Sequence, residues 1–156
     1  MLDHVLRMLA LAGAGGLSAA LVAVLIAPSF LPGRVPLHFG ASGQPDRWGS
    51  ARELMLVPVI ALVLYALLSF VARIPHHYNY PVAITPQNAE RQYFLARRLI
   101  FALRAVLVWI FLVLFWKVRR VAIGEATGLG PLFFFLSVGL VGVCVVWYLV
   151  AAIRSR

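Results

Sequence analysis

Apolar residues in this 156-residue chain do not recur as narrow stripes; they run together in four long blocks. The blocks fall roughly at residues 5–27, 54–72, 99–116 and 132–153. A hydrocarbon core takes about 20 apolar residues to cross, so each block is expected to be a membrane span. The pattern predicts an all-α protein: a four-helix transmembrane bundle forming one integral membrane domain over residues 1–156, with a long, compact first extramembrane loop. The first block is expected to be a retained helix rather than a signal peptide. Arg7 is offset by Asp3, the apolar stretch is long, and no clean small-x-small site comes after it.

Three connections separate the blocks. The first, residues 28–53, holds four prolines and four glycines and is expected to be loop or short turns rather than helix. The second, residues 73–98, changes character at Thr85-Pro86, a good N-cap and then a proline tolerated at the first helical position. A helix is expected to start there and run into the third span to about Trp116, some ~46 Å at 1.5 Å per residue. Its first turns would project from the membrane or lie on its surface, with Ala89, Tyr93 and Ala96 as a modest apolar face. The third connection, Lys117 to Pro131, is short and glycine-bearing.

Composition agrees with a bilayer as solvent. Hydrophobic residues make up 63% of the chain and charged residues 12%, with a mean hydropathy of +0.94. That leaves too little polar surface to coat a water-exposed globule. The net charge of +9 does not mark nucleic-acid binding, because the basic residues flank apolar blocks instead of gathering on one polar segment. Four spans place Arg7, Arg73, Arg91, Arg97, Arg98, Arg154 and Arg156 on one side, and Arg34, Arg47, Arg52, Lys117, Arg119 and Arg120 on the other. This narrow excess favours cytoplasmic termini. The single cysteine, Cys144, lies in an apolar block and excludes an internal disulfide.

Chemistry inside the membrane is sparse. None of the five acids (Asp3, Asp46, Glu53, Glu90, Glu125) lies mid-span, which argues against a carboxylate-driven pump. Arg104 is the only deep ionisable candidate, and a snorkelling arginine is the expected reading. Ala12, Gly16 and Ala20 form a small-xxx-small stripe, and Gly139 and Gly142 lie in the fourth span; both suit packing inside the bundle or a dimer interface. The aromatics Trp109, Phe111, Phe115, Trp116, Phe133 to Phe135, Trp147 and Tyr148 suit belt and lipid-facing positions. Among the histidines, His38 is separated from His4, His76 and His77 by the membrane. Asp3, His4, His76 and His77 share a side but lack a standard ligand spacing. No metal, cofactor or catalytic residue is expected, and no nucleophile, phosphate-loop or metalloprotease motif is present.

The first connection carries the candidate site. Pro32 and Pro36 bias their preceding residues to extended backbone. Val35, Leu37 and Phe39 alternate with Pro36 and His38, which suits a short extended stretch with one face on the membrane surface. Gly40, Gly43 and Gln44-Pro45-Asp46 favour turns, and Trp48 suits a head-group anchor. His38 and Asp46 suit either satisfying loop backbone or binding.

This stretch, Leu-Pro-x-Arg-Val-Pro-x-His-Phe-x-x-x-Gly-x-x-Asp-x-Trp-Gly-Ser, closely resembles the signature of a bacterial membrane domain of unknown function. That domain forms the amino-terminal part of SdpI-type toxin-immunity and signalling proteins and also occurs in small stand-alone membrane proteins. The resemblance covers roughly residues 10–72 and rests on Leu31, Pro32, Pro36, His38, Phe39, Gly43, Asp46 and Trp48. Asn79-Tyr80-Pro81 and Asn88 to Tyr93 are similar to the segment just after the domain in its short members. The second SdpI-type signature, Gly-Ile-Arg-Thr-Pro-Trp, is absent.

The resemblance implies a bacterial inner-membrane location and an outward-facing first loop. The expected function is non-enzymatic recognition, immunity or signalling, with Pro36, His38, Phe39, Gly43, Asp46 and Trp48 as binding residues. The partner would be a peptide toxin, a lipid or another membrane protein. The rival expectation is an accessory structural subunit of a larger membrane complex.

Overall fold

The computed structural model describes His4, Met8, Leu11, residues 13–19, Val22 and residues 31–156. Most of the expected first span, and with it Asp3, Arg7, Ala12 and Ala20, lies outside the described residues; residues 13–19 within it are helical.

Two strands, β1 (Arg34–Phe39) and β2 (Pro45–Ser50), form an antiparallel hairpin. A short helix α1 (Ala51–Leu54) leads almost without interruption into α2 (Leu56–Val71). A single 3-10 turn at Pro75–His77 precedes the long helix α3 (Ala89–Ala122), and α4 (Pro131–Ile153) comes last. Among the described residues, three helical stretches are long and apolar enough to cross a membrane: Ala51–Val71, Ala89–Ala122 and Pro131–Ile153. The protein is thus an integral membrane protein of mainly helical structure, in which the all-α expectation is corrected by the hairpin.

The hairpin escaped prediction for a physical reason. β1 reads as an extended stretch, but β2 is Pro-Asp-Arg-Trp-Gly-Ser, with none of the β-branched alternation that marks strands. Pro36 cannot donate a ladder bond, and the register shifts between Pro36 and His38 and again before Phe39. Where the hairpin ends, Ser50 caps α1. The Arg52 amide donates to Ser50 Oγ at 3.2 Å while the Ser50 amide donates to Glu53 Oε1 at 2.9 Å, a capping box that starts the helix three residues before the expected span.

The start and end of α3 also differ from expectation. Thr85 and Asn88 bond reciprocally, Thr85 N–H to Asn88 Oδ1 at 2.9 Å and Asn88 N–H to Thr85 Oγ1 at 3.3 Å. This box makes Pro86 part of a turn, and the helix proper begins at Ala89. The helix then continues six residues past Trp116, so its 34 residues make it about 51 Å long. Its buried face at the amino end is Gln92, Leu95 and Ala96, with Tyr93 and Ala89 only half-buried.

α3 is the wall against which the other elements pack. At the hairpin end, Val35, Leu54, Phe115 and Val118 form one core, with Leu37, Phe39 and Leu129 against it. At the opposite end, Leu95, Ala96, Tyr148 and Ala152 form a second, with Tyr78 and Tyr80 beside it. Between them, Gly16 meets α3 so closely that an added Cβ would stand 2.7 Å from Val108 Cγ1. By contrast, Gly139 and Gly142 have nothing within 4 Å of that position.

Arg104 does not snorkel. It is 7% exposed, donates from Nη1 to Ser69 Oγ at 2.9 Å, and lies between the Tyr65 and Phe101 rings at 4.6 and 4.7 Å. Aromatic faces and a hydroxyl take the place of a carboxylate partner. The carboxyl end of α4 is held similarly by a buried amide: Gln92 Nε2 donates to the carbonyls of Ala152 at 2.9 Å and Ser155 at 3.0 Å.

Outside the spans, Tyr78 Oη donates to the Val71 carbonyl and Tyr80 Oη to the Pro75 carbonyl, folding residues 73–88 back on the helix ends. Burial pushes both phenols above the ordinary tyrosine value, with Arg97 partly opposing it at Tyr78 and neighbouring tyrosines adding to it at Tyr80.

This packing makes two predictions. Gly16→Ala is expected to cost about 1–3 kcal/mol through overpacking against Val108, while Gly15→Ala, which meets nothing within 4 Å, is neutral or mildly stabilising; thermal melting of the two variants in mild detergent checks the contrast. In the second, the raised phenols keep their stabilising contribution below the unfolded tyrosine pKa of about 10 and lose it as pH rises further. Alkaline titration of wild type should therefore show a stability loss above about pH 10 that is shallower in Tyr80→Phe.

Candidate functional site

The hairpin is pinned at both ends. At its base, the Ala51 amide bonds the Gly33 carbonyl at 3.3 Å, and at its tip the Gly40 amide bonds the Gln44 carbonyl at 2.9 Å. Gly43 takes φ 76° there, a conformation glycine adopts without a side-chain penalty. Its carbonyl accepts the Leu129 amide at 2.9 Å, and a Cβ on Gly128 would strike that same carbonyl oxygen. Lys117 Nζ donates to the Leu129 carbonyl at 2.8 Å. The third connection is therefore strapped across the hairpin tip, and Lys117 lies within α3 rather than at the start of a loop.

The expected site residues divide into two groups. Pro36 is fully buried, Phe39 packs against the core around Val35 and Val118, and Gly43 makes the tip contact just described. These three hold the hairpin to the helices and to the third connection. His38, Asp46 and Trp48 are exposed. His38 Nδ1 and Asp46 Oδ1 lie 2.6 Å apart, so the two side chains satisfy each other rather than loop backbone. The other imidazole nitrogen has no partner among the described residues. Trp48 stands opposite Pro36 in the register and is 41% exposed.

Beneath β1 lies a cavity of about 460 Å³. Its polar part is His38, Arg47 and Glu53; its apolar wall includes Leu54, Val57, Leu114, Val118 and Phe133. Sequence reasoning did not single out Arg47 or Glu53 as site residues. The Ser50-x-x-Glu53 spacing is the signal that would have placed Glu53 beside the hairpin base. Arg47 offered none, because its position depends on the bulged pairing with His38.

The other histidines do not join this site. His76 and His77 are exposed with ring centroids 4.3 Å apart, and among the described residues no group of three or more His, Cys, Asp or Glu is placed to hold a metal.

Comparison with known proteins agrees on where the distinctive sequence lies. Residues 16–62 match the family model described as a domain of unknown function, DUF1648, a stretch that includes the whole hairpin and the first half of α2. An uncharacterized protein of Archaeoglobus fulgidus is 40% identical over 50 residues, which cover 32% of this chain and 27% of the relative. The chain thus spans little more than a quarter of that relative. No solved structure matches.

The strap across the hairpin tip has a direct test. The Leu129 amide is expected to be protected from hydrogen exchange in wild type, and Gly128→Ala should speed its exchange about tenfold or more by displacing it from the Gly43 carbonyl. Gly33→Ala, with nothing within 4 Å, should leave it unchanged.

Proposed function

We propose that this protein is a non-enzymatic recognition protein of the bacterial cytoplasmic membrane, binding its partner at the membrane surface through the hairpin. The observation that carries this reading is the cavity under β1. An exposed His38–Asp46 pair and Arg47 lie beside an apolar wall, a combination suited to an amphipathic partner. Pinning at base and tip favours binding over a purely mobile connector, because a pre-organised loop loses little entropy on binding. The resemblance to SdpI-type proteins supports immunity or signalling as the purpose of the recognition, and a hairpin outside the cell with cytoplasmic termini. The small arginine excess on the terminal side supports the same orientation.

A second reading, an accessory subunit of a larger membrane complex, is favoured by α4. Most of its apolar side chains are bare, among them Leu132, Phe134, Phe135, Val143 and Val146.

A photo-crosslinking amino acid separates the two. Placed at Arg47 in cells, it is expected to give a discrete adduct that disappears on His38→Ala or Asp46→Asn. Adducts confined to Val143 and Val146 on α4, with none at Arg47, would establish the accessory reading instead. For orientation, single cysteines at Ser42 and Ser50 in a Cys144→Ala background should react with an impermeant thiol reagent on spheroplasts, and those at Thr85 and Ser155 should not.

A further inference from the structure

The α3–α4 pair is tightly packed at the end away from the hairpin. Leu95, Ala96 and Gln92 join it to Tyr148 and Ala152 near the chain terminus. Toward the hairpin face a groove of about 490 Å³ lies between the two helices. Trp109, Val113, Leu136 and Leu140 line it, with Phe133 and Lys117 at its hairpin end. From Ala105 to Lys117 the groove runs about 18 Å along α3. Half the thickness of a hydrocarbon core is about 15 Å. An apolar channel of this length, open to the membrane and ending in an ammonium group, matches one leaflet's acyl chain with its head group at the surface.

Charge decides which lipid. The turn that holds Lys117 also holds Arg119 and Arg120, and nearby Glu125 is paired with Arg120 at 3.4 Å. Lys117 spends one of its three donors on the Leu129 carbonyl, which fixes the amine at the mouth and leaves two donors for a phosphate. We propose that the groove binds an anionic phospholipid from the leaflet on the hairpin side, its phosphate on Lys117 and one acyl chain between α3 and α4. Phe133 is the one lining residue this groove shares with the cavity under β1, and the groove's occupancy is argued without the recognition role.

Trp109 in the groove wall provides the readout. The full chain, with Trp48, Trp116 and Trp147 changed to Phe, is reconstituted in phosphatidylcholine vesicles. The vesicles carry an equal small fraction of dibrominated phosphatidylglycerol or dibrominated phosphatidylcholine. Quenching of Trp109 should report about a fivefold preference for the anionic lipid, abolished by Lys117→Met and kept by Lys117→Arg. Equal quenching by the two lipids in the Lys117 protein overturns the proposal. Should the triple Phe background fail to fold, melting of wild type and Lys117→Met in detergent with added phosphatidylglycerol substitutes. A rise specific to Lys117 supports the site, and equal rises overturn it.

Discussion

Close packing along α3 is the constraint on which the rest of this structure depends. Lipid tails are as apolar as the side chains that face them, so burial supplies little drive to bring helices together inside a bilayer. What remains is shape fit and a few polar bonds, and they are concentrated on this one helix. Gly16 lets the amino-terminal helical segment approach Val108. Ser69 brings α2 to Arg104, and the carbonyls of Ala152 and Ser155 bring the end of α4 to Gln92. The two buried polar side chains of the described structure, Gln92 and Arg104, are both on α3, and both face a neighbouring element.

The hairpin depends on the same wall in a different way. A two-stranded sheet alone is marginal in water, and this one has a proline in β1 and a bulged register. Val35, fully buried against Leu54, Phe115 and Val118, ties it to the helix ends. The strap from Gly43 to Leu129 then fixes the tip. That anchoring explains how a segment rich in proline and glycine can present His38, Asp46 and Trp48 in a defined arrangement, and why a cavity persists beneath it.

Among the described elements, α4 packs mainly on α3. It is held near its carboxyl end by Gln92 on the Ala152 carbonyl and just before its start by Lys117 on the Leu129 carbonyl, and its other faces present apolar side chains to the membrane. The Gly130-Pro131 step, with φ 77° at Gly130, turns the chain from the third connection into the helix. The groove between α3 and α4 lies between these two attachments.

Membrane residence, the three described spans and the turn around Gly40 and Gly43 were legible in the sequence, because each rests on runs of like residues or on local turn chemistry. The apolar blocks ended within a few residues of the observed helices wherever a local signal, such as Pro131, marked the end. They failed where the signal lay in a partner: the Thr85–Asn88 box moved the start of α3, and nothing after Trp116 stopped it. Proline and glycine content concealed β2, since a strand of Pro-Asp-Arg-Trp-Gly-Ser is a strand only by pairing with β1. Arg104 was misread for the same reason, its partners Tyr65 and Ser69 lying on another helix. By itself, then, the sequence determined which segments belong in lipid and which at its surface, because transfer between water and hydrocarbon is a property of each segment's own side chains. Tertiary structure decided which polar groups meet across elements, His38 with Asp46, Gln92 with Ala152 and Leu129 with Gly43, because a hydrogen bond exists only where two distant parts of the chain are brought within reach of each other.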